Sequence, residues 1–355
     1  MADISLTLIY KDGKTEEIVF DEDENTLNLA RKKISEIDLS PLEGAENLVE
    51  LDLGSNRIES IDLSPLAKCS NLSSLSLFKN PLKGIDIKPL TSCKHLTELN
   101  LGSTSIQDLP LEYLKSTSLK RLRLFTNQIP EIDLTPLTDM TTIEILELEN
   151  NSLSEIDLNP LSNCPELSQI NLMYNELSTI DLVPLSKCLK MNFLYLHHNV
   201  LREIDLGPVS GWADFRILRL GGNELESIDL TPLANAKGLR RLGLAMNRIE
   251  SINLEPLCNC TELRALDLAG NRLRRLDLAP LSNCTSLEEF YLYSDHPEEN
   301  EFDSLDIDPL FHCTELEDFG VPGDTVLQAK SSRKKSKNIP YAIEELIEQD
   351  RIEWI

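Results

Sequence analysis

Residues 48–71 read LVELDLGSNRIESIDLSPLAKCSN, and the next 24 residues begin the same way, with LSSLSLFKN at 72 answering LVELDLGSN at 48. Leu48, Leu51 and Leu53 follow the spacing Leu-x-x-Leu-x-Leu. Two-residue periodicity puts Leu51 and Leu53 on one face of a short strand. Asn56 stands where the chain leaves that strand, and its amide can satisfy backbone groups that the turn leaves unpaired. Pro65, in IDLSPL at 61–66, suits the first position of a helical turn, with Ser64 before it as a cap; Ser40, Thr135 and Thr231 hold the same place elsewhere. So few residues remain in each period that the return side is expected to be single helical or 3₁₀ turns.

The register continues with LTELNLGST at 96, LKRLRLFTN at 119, IEILELENN at 143 and LSQINLMYN at 167. MNFLYLHHN at 191, FRILRLGGN at 215, LRRLGLAMN at 239 and LRALDLAGN at 263 follow, then LEEFYLYSD at 287 and a degenerate LEDFGVPGD at 316. Two turns break the spacing: the one at 96 is short, with DLPL in place of the usual motif, and the one at 287 carries the acidic insertion SDHPEENEF. Both are candidate specificity elements, since insertions in repeat arrays land on loops. Thr104 and Asp295 occupy the asparagine position in those two turns.

Leu-x-x-Leu-x-Leu-x-x-Asn-x-Leu in tandem resembles the leucine-rich-repeat family, over residues 27 to 324. The short repeat is most similar to intracellular phosphatase-regulatory and bacterial internalin-type solenoids. The resemblance implies an α/β solenoid, with a curved parallel sheet on the concave face and short helical or 3₁₀ turns on the convex one. Stacking would bury each layer's leucines against the layers on either side, so no layer is stable alone.

Composition agrees with a thin aliphatic stack: apolar residues make up 41% of the chain and aromatics 5%. With 34 basic and 60 acidic side chains the formal net charge is -26, which disfavours nucleic acid and anionic membranes as partners. No run approaches the roughly 20 apolar residues of a membrane span, and the start lacks a signal-peptide pattern. A soluble, cytoplasmic monomer is expected. Cys69, Cys93, Cys164, Cys188, Cys260, Cys284 and Cys313 fall three residues before the next strand's first apolar residue, where other repeats put Ser116, Met140, Trp212 and Ala236. That pattern predicts a small buried apolar position, with no zinc spacing and no disulfide framework; Cys258 is the odd one.

A second column runs through Asp38, Asp62, Asp86, Asp133, Asp157 and Asp181, then Asp205, Asp229, Asp277 and Asp306. Stacked carboxylates could hold calcium, but one per layer gives too few converging oxygens, and Asn253 interrupts the column; acceptance of backbone hydrogen bonds at a bend is the alternative. No catalytic triad order, phosphate loop or metal-binding His spacing occurs, and the adjacent His197 and His198 would point to opposite sides of a strand. No cofactor is expected.

Function is expected where the repeat does not dictate the residue, on the outward positions of the strands. These read Arg121, Arg123 and Phe125, then Glu147 and Glu149 beside Ile145, then Asn171 and Met173 beside Gln169. Phe193, Tyr195 and His197 come next, followed by Arg219 and, further on, Tyr291 and Tyr293. Aromatics and arginines on a solvent face are interface anchors, so these residues mark a partner-binding surface for a protein not identified by the sequence. The ends differ: residues 1–26 read as a hairpin cap around Asp12-Gly13, 325–337 as a basic linker, and 338–355 as a helix that caps the last layer or docks elsewhere. A non-catalytic protein-binding scaffold is the favoured function; a calcium-binding or self-assembling module built on the aspartate column, and an enzyme of unrecognised type, are the alternatives.

Overall fold

The computed structural model describes residues 3–21, 23–293 and 299–355, so Asp295 and most of the acidic insertion lie outside the described residues. The chain divides into two compact units, Met1–Asn175 and Glu176–Ile355. In the first unit, Thr26–Asn28, Glu50–Asp52, Ser74–Ser76, Glu98–Asn100, Arg121–Arg123, Ile145–Glu147 and Gln169–Asn171 pair in parallel, each in register with the next. In the second, Phe193–Tyr195, Ile217–Arg219, Arg241–Gly243, Ala265–Asp267, Glu289–Tyr291 and Asp318–Gly320 do the same. The central residue of each strand from Leu51 to Phe290 is buried, and the solenoid fold read from the leucine spacing holds. Each such leucine contributes about 2 kcal/mol by leaving water.

Opposite the strands the layers close through 3₁₀ turns, most with proline in the first positions, such as Ser64–Lys68, Val183–Lys187 and Ala279–Asn283; in the short repeat Pro110 instead precedes the turn Leu111–Leu114. The hydroxyls of Ser40, Ser64, Thr135 and Thr231 do not cap these turns. The aspartate two residues earlier does so: Asp62 Oδ1 accepts the Ser64 N–H at 2.8 Å, Asp181 that of Val183 at 2.8 Å and Asp277 that of Ala279 at 2.9 Å. Bonds from the hydroxyl and N–H of the residue two positions on hold the carboxyls of Asp38, Asp62, Asp133 and Asp229 below the usual range. Asn253 makes the same bond to Glu255 N–H at 3.0 Å, which explains why the column tolerates it. The aspartate column is thus spent on its own backbone.

The asparagines join one layer to the one before. Asn151 Oδ1 accepts the Ile129 N–H at 3.2 Å, while its Nδ2 donates to the carbonyls of Leu148 and Leu124, both at 3.0 Å. In the short repeat, Thr104 Oγ1 donates to Leu101 O at 2.6 Å, and Asn127 Oδ1 accepts from Thr104 and Ile106. The long repeat corrects the assignment of Asp295 to this position. Asn300 fills it, accepting the Leu273 N–H at 2.9 Å and donating to Leu268 O and Leu292 O at 2.9 and 2.8 Å. The insertion has moved the asparagine along the chain without moving its bonds.

Where the position holds cysteine or tryptophan, its side chain also donates a hydrogen bond to the preceding turn; Met140 and Ala236 fill it by packing alone. Cys69 Sγ donates to Leu42 O at 3.3 Å, Cys284 to Leu257 O at 3.5 Å, and Trp212, far from small, donates from Nε1 to Leu185 O at 3.2 Å. Burial pushes the thiols of Cys69, Cys93, Cys188 and Cys260 up to about 11 and those of Cys284 and Cys313 up to about 12. Cys258 alone is partly exposed.

At the chain's start, Asp3–Tyr10 pairs antiparallel with Thr15–Asp21 and, on its other side, with Ile34–Ile37. At its end, residues 325–337 depart from the linker reading. Val326–Ala329 is the middle strand of a parallel sheet with Ser304–Asp306 and Ile352–Trp354, and Ser331–Lys335 is a 3₁₀ turn. The turn is held by Arg333, whose Nε and Nη2 each reach the buried Asp308 carboxylate at 3.0 Å. The helix Tyr341–Glu348 buries Ala342, Ile343 and Leu346 and lies against Asp318–Gly320.

Replacing Asn300 with alanine is expected to lower the urea midpoint by an amount equivalent to about 2–3 kcal/mol, because a buried N–H and two carbonyls lose their partner. The exposed neighbour Glu299→Ala should cost under about 0.5 kcal/mol. In native protein at about pH 8, Ellman's reagent should titrate Cys258 alone, with the other thiols reacting only after unfolding.

Candidate functional site

Because the ladder fixes the inward side chains, the outward ones carry the variation, and they form one group in each unit. In the first unit Arg123 sits between two carboxylates, with Nη1 at 2.7 Å from Glu98 Oε1 and Nε at 3.0 Å from Glu147 Oε2. Arg121 Nη1 stands 3.6 Å from Glu98, and Gln169 Nε2 donates to Glu147 Oε1 at 3.3 Å. Arg123 is therefore committed to internal pairs rather than offered as a free anchor. Phe125 lies across Gly102, where a Cβ would meet its ring at 2.6 Å, and packs on Phe78 at 5.6 Å between centroids. Asn171 is buried, its Oδ1 accepting the Met173 N–H at 3.3 Å, so it shapes the sheet more than it presents a contact. Sequence reasoning missed Glu98 and Phe78. Their signal was the outward register they share with Arg121, Arg123 and Phe125.

Glu149 differs from its neighbours. Its Oε2 is buried and has no hydrogen-bond partner among the described residues. Burial pushes its carboxyl up to about 7; the nearby Glu147 adds to the rise, while its own backbone N–H and Arg123 oppose it.

In the second unit the outward face is a depression with rims. Phe193 and Tyr195 stack with centroids 6.4 Å apart and planes 3° from parallel, and Tyr195 meets His197 edge-on at 6.3 Å. Burial, with His198 and Arg219 adding to it, pushes His197 down to about 4, so the ring is neutral at physiological pH. Beyond them Gly221, Gly243, Ala245 and Ala265 leave a cavity of about 300 Å³, lined also by Arg219, Arg241, Asp267, Glu289 and Tyr291. Arg241 Nη1 pairs with Glu289 Oε2 at 3.3 Å. Burial raises the Asp267 carboxyl, against the opposing effect of the Ala269 N–H, which donates to it at 3.2 Å, and of the Arg219 charge. Tyr291 closes the far side, its hydroxyl donating to Asp318 Oδ2 at 3.1 Å; burial and that carboxylate push it up to about 12. The structure thus gathers Arg219 and Tyr291 with Arg241, Asp267 and Glu289, which sequence reading did not single out; no aromatic marks the strands of Arg241 and Asp267, and on its own strand Glu289 was passed over for Tyr291. Among the described residues, no group of three or more His, Cys, Asp or Glu side chains is placed to hold a metal ion. No helix among the described residues is long and apolar enough to cross a membrane.

Two family models described as leucine rich repeat match residues 25–82 with 213–273, and 92–113. A third, the BspA type leucine rich repeat region in six copies, matches residues 113–205. No curated protein matches the sequence. Among solved structures, a leucine-rich-repeat protein of Leptospira interrogans is similar at 22% identity over 94% of this chain and 84% of its own, with a TM-score of 0.78. An internalin of Listeria monocytogenes is similar at 24% identity over 86% of this chain and 90% of its own, with a TM-score of 0.64. The leucine-rich-repeat ectodomain of a membrane receptor kinase from Arabidopsis thaliana, solved in complex with a Casparian strip integrity factor, is 24% identical over 82% of this chain. This chain spans 37% of that one, with a TM-score of 0.65. These likenesses are of fold.

Between the usual carboxylate range and about pH 7 the folded chain keeps a proton on Glu149 that the unfolded chain has released, so stability falls as pH rises through that window. Glu149→Gln should stabilise the protein by about 1 kcal/mol near pH 8, after allowance for screening, and by almost nothing near pH 4 in urea titrations.

Proposed function

Since the chain belongs to the leucine-rich-repeat family, we propose that it is a non-catalytic scaffold that binds a protein partner on the outward face of its parallel sheet. One observation carries the reading. In a chain with 5% aromatic residues, Phe193, Tyr195 and Tyr291 stand on outward strand positions where the repeat imposes no residue, Tyr291 lining an open depression and Tyr195 one layer from Arg219 in its wall. Rigid aromatic rings bury large areas at small entropic cost, which makes such positions efficient anchors. Structures of this fold that hold a partner, such as the plant receptor ectodomain with its integrity factor, support the class of function. Binding is assigned to the second unit, because Arg219 there makes no ion pair among the described residues whereas Arg123 in the first unit is already paired twice. A monomer in the cytoplasm, without affinity for nucleic acid, fits the net charge of -26 and the buried free thiols.

The test is affinity capture from source-cell lysate with intact protein and with a Phe193→Ala, Tyr195→Ala variant whose fold is confirmed by circular dichroism. A partner held by the intact bait should fall at least about tenfold on the variant, as hot-spot aromatics dictate. Equal capture by both baits would remove this face as the binding site.

A further inference from the structure

The depression in the second unit has a charge pattern and a spacing, and together they specify the segment it accepts. The middle outward position of successive strands reads Tyr195, Arg219, Gly243, Asp267 and Tyr291, one residue per layer and paired in register. Gly243 is the low point between the two charges; a Cβ there would find only Arg219 within reach, its Cγ at 3.7 Å and its Cα at 3.9 Å. Among the described residues Arg219 makes no ion pair or hydrogen bond through its side chain and acts on Asp267 only through space, and the hydrogen bond to the Asp267 carboxylate comes from the Ala269 backbone N–H. Arg241 and Glu289, by contrast, already close on each other at the margin. Each of these two charges lines the cavity with an aromatic one layer beyond it, Tyr195 past Arg219 and Tyr291 past Asp267.

Arg219 and Asp267 are two layers apart, which at the spacing of paired strands is about 9.6 Å. A ligand chain crossing the strands must therefore present an anion and a cation on one face at about that distance. A β-extended segment repeats one face at about 6.7 Å or 13.4 Å and misses it. A polyproline II segment brings residues i and i+3 onto one face at about 9.3 Å and matches it. Its fully solvated backbone also asks no main-chain hydrogen bonds of the sheet, and aromatic walls are the surface against which such segments dock. A purely acidic segment would set a carboxylate against Asp267, and a purely basic one a cation against Arg219.

Resting on the outward-face reading above, we propose that this depression binds a proline-rich polyproline II segment carrying an acidic and a basic residue three positions apart, the acid on Arg219, the base on Asp267, and the intervening turn over Gly243. The probe is a fluorescein-labelled peptide, Pro-Pro-Glu-Pro-Pro-Arg-Pro-Pro-amide, titrated with the full chain by fluorescence anisotropy. Binding should weaken about tenfold when the two charged residues are made adjacent or both replaced by glutamine, and likewise in Arg219→Ala. Gly243→Leu, which fills the low point and suits a strand, should abolish binding. Asp267→Lys should switch preference to the peptide with glutamate at both charged positions, a gain that a misfolded variant could not show. No binding up to about 1 mM, a limit corresponding to roughly 4 kcal/mol, or binding indifferent to spacing and to Gly243→Leu, overturns the proposal. If lysate capture still depends on Phe193 and Tyr195 while the peptide fails, the scaffold reading stands and this ligand assignment falls.

Discussion

One side-chain amide per layer holds this protein in order. The asparagine at the exit of each strand satisfies a carbonyl of its own turn, a carbonyl of the preceding layer and an N–H of the preceding layer, all away from water. A tight turn between a short strand and a return segment leaves these groups without backbone partners, and burying them unpaired would cost about 1–3 kcal/mol each. The carboxamide is the one neutral group with two donors and a two-lone-pair acceptor in this reach. Thr104 supplies less: its hydroxyl donates to Leu101 O, and the Leu82 N–H of the preceding layer turns to Asn80 O at 2.8 Å. The residue before the asparagine also bears a cost, adopting a left-handed backbone at Ser55, Lys79, Thr126, Asn150 and Met246 although none is glycine. Its N–H bonds to the next layer, as Ser55 does to Phe78 O at 2.6 Å, which offsets the strain.

The other recurrent features serve the same end by different chemistry. Aspartates, with Asn253 in one layer, tie down the start of the proline-led 3₁₀ turns, and cysteines or Trp212 donate to a carbonyl of the preceding turn. With the interior and both bends prescribed, only the outward strand positions are left to vary. In the first unit that freedom goes into a closed set of ion pairs around Arg123 and a half-buried carboxyl at Glu149; in the second it goes into an open depression. The open depression is the one with charge to spare.

Much of this was legible in the residues because the repeat is periodic: the leucine spacing gave the strands, Asn-x-Leu the turn, and proline the return segment. The reading failed where chemistry could be moved along the chain. Asp295 sits in the asparagine column by counting, yet Asn300 reaches the same three partners from beyond the insertion, since bonds are set by position in space. Ser64 looked like a cap by its place before proline, but Asp62 reaches the N–H from two residues back. The basic stretch near the end read as a solvated linker because the buried Asp308 that holds Arg333 lies far from it in sequence.

The sequence by itself determined the layer: its period, its inward leucines, its bends, and which positions face outward, because each of these follows from local periodicity and turn chemistry. Only the tertiary structure decided which outward residues belong together and which charges remain unspent. Arg123 and Arg219 are indistinguishable in the pattern, and only stacking brings Glu98 and Glu147 to the first while leaving the second beside the gap at Gly243. Such pairings join residues about one repeat apart, and their energies depend on distance and desolvation, neither of which a linear sequence contains.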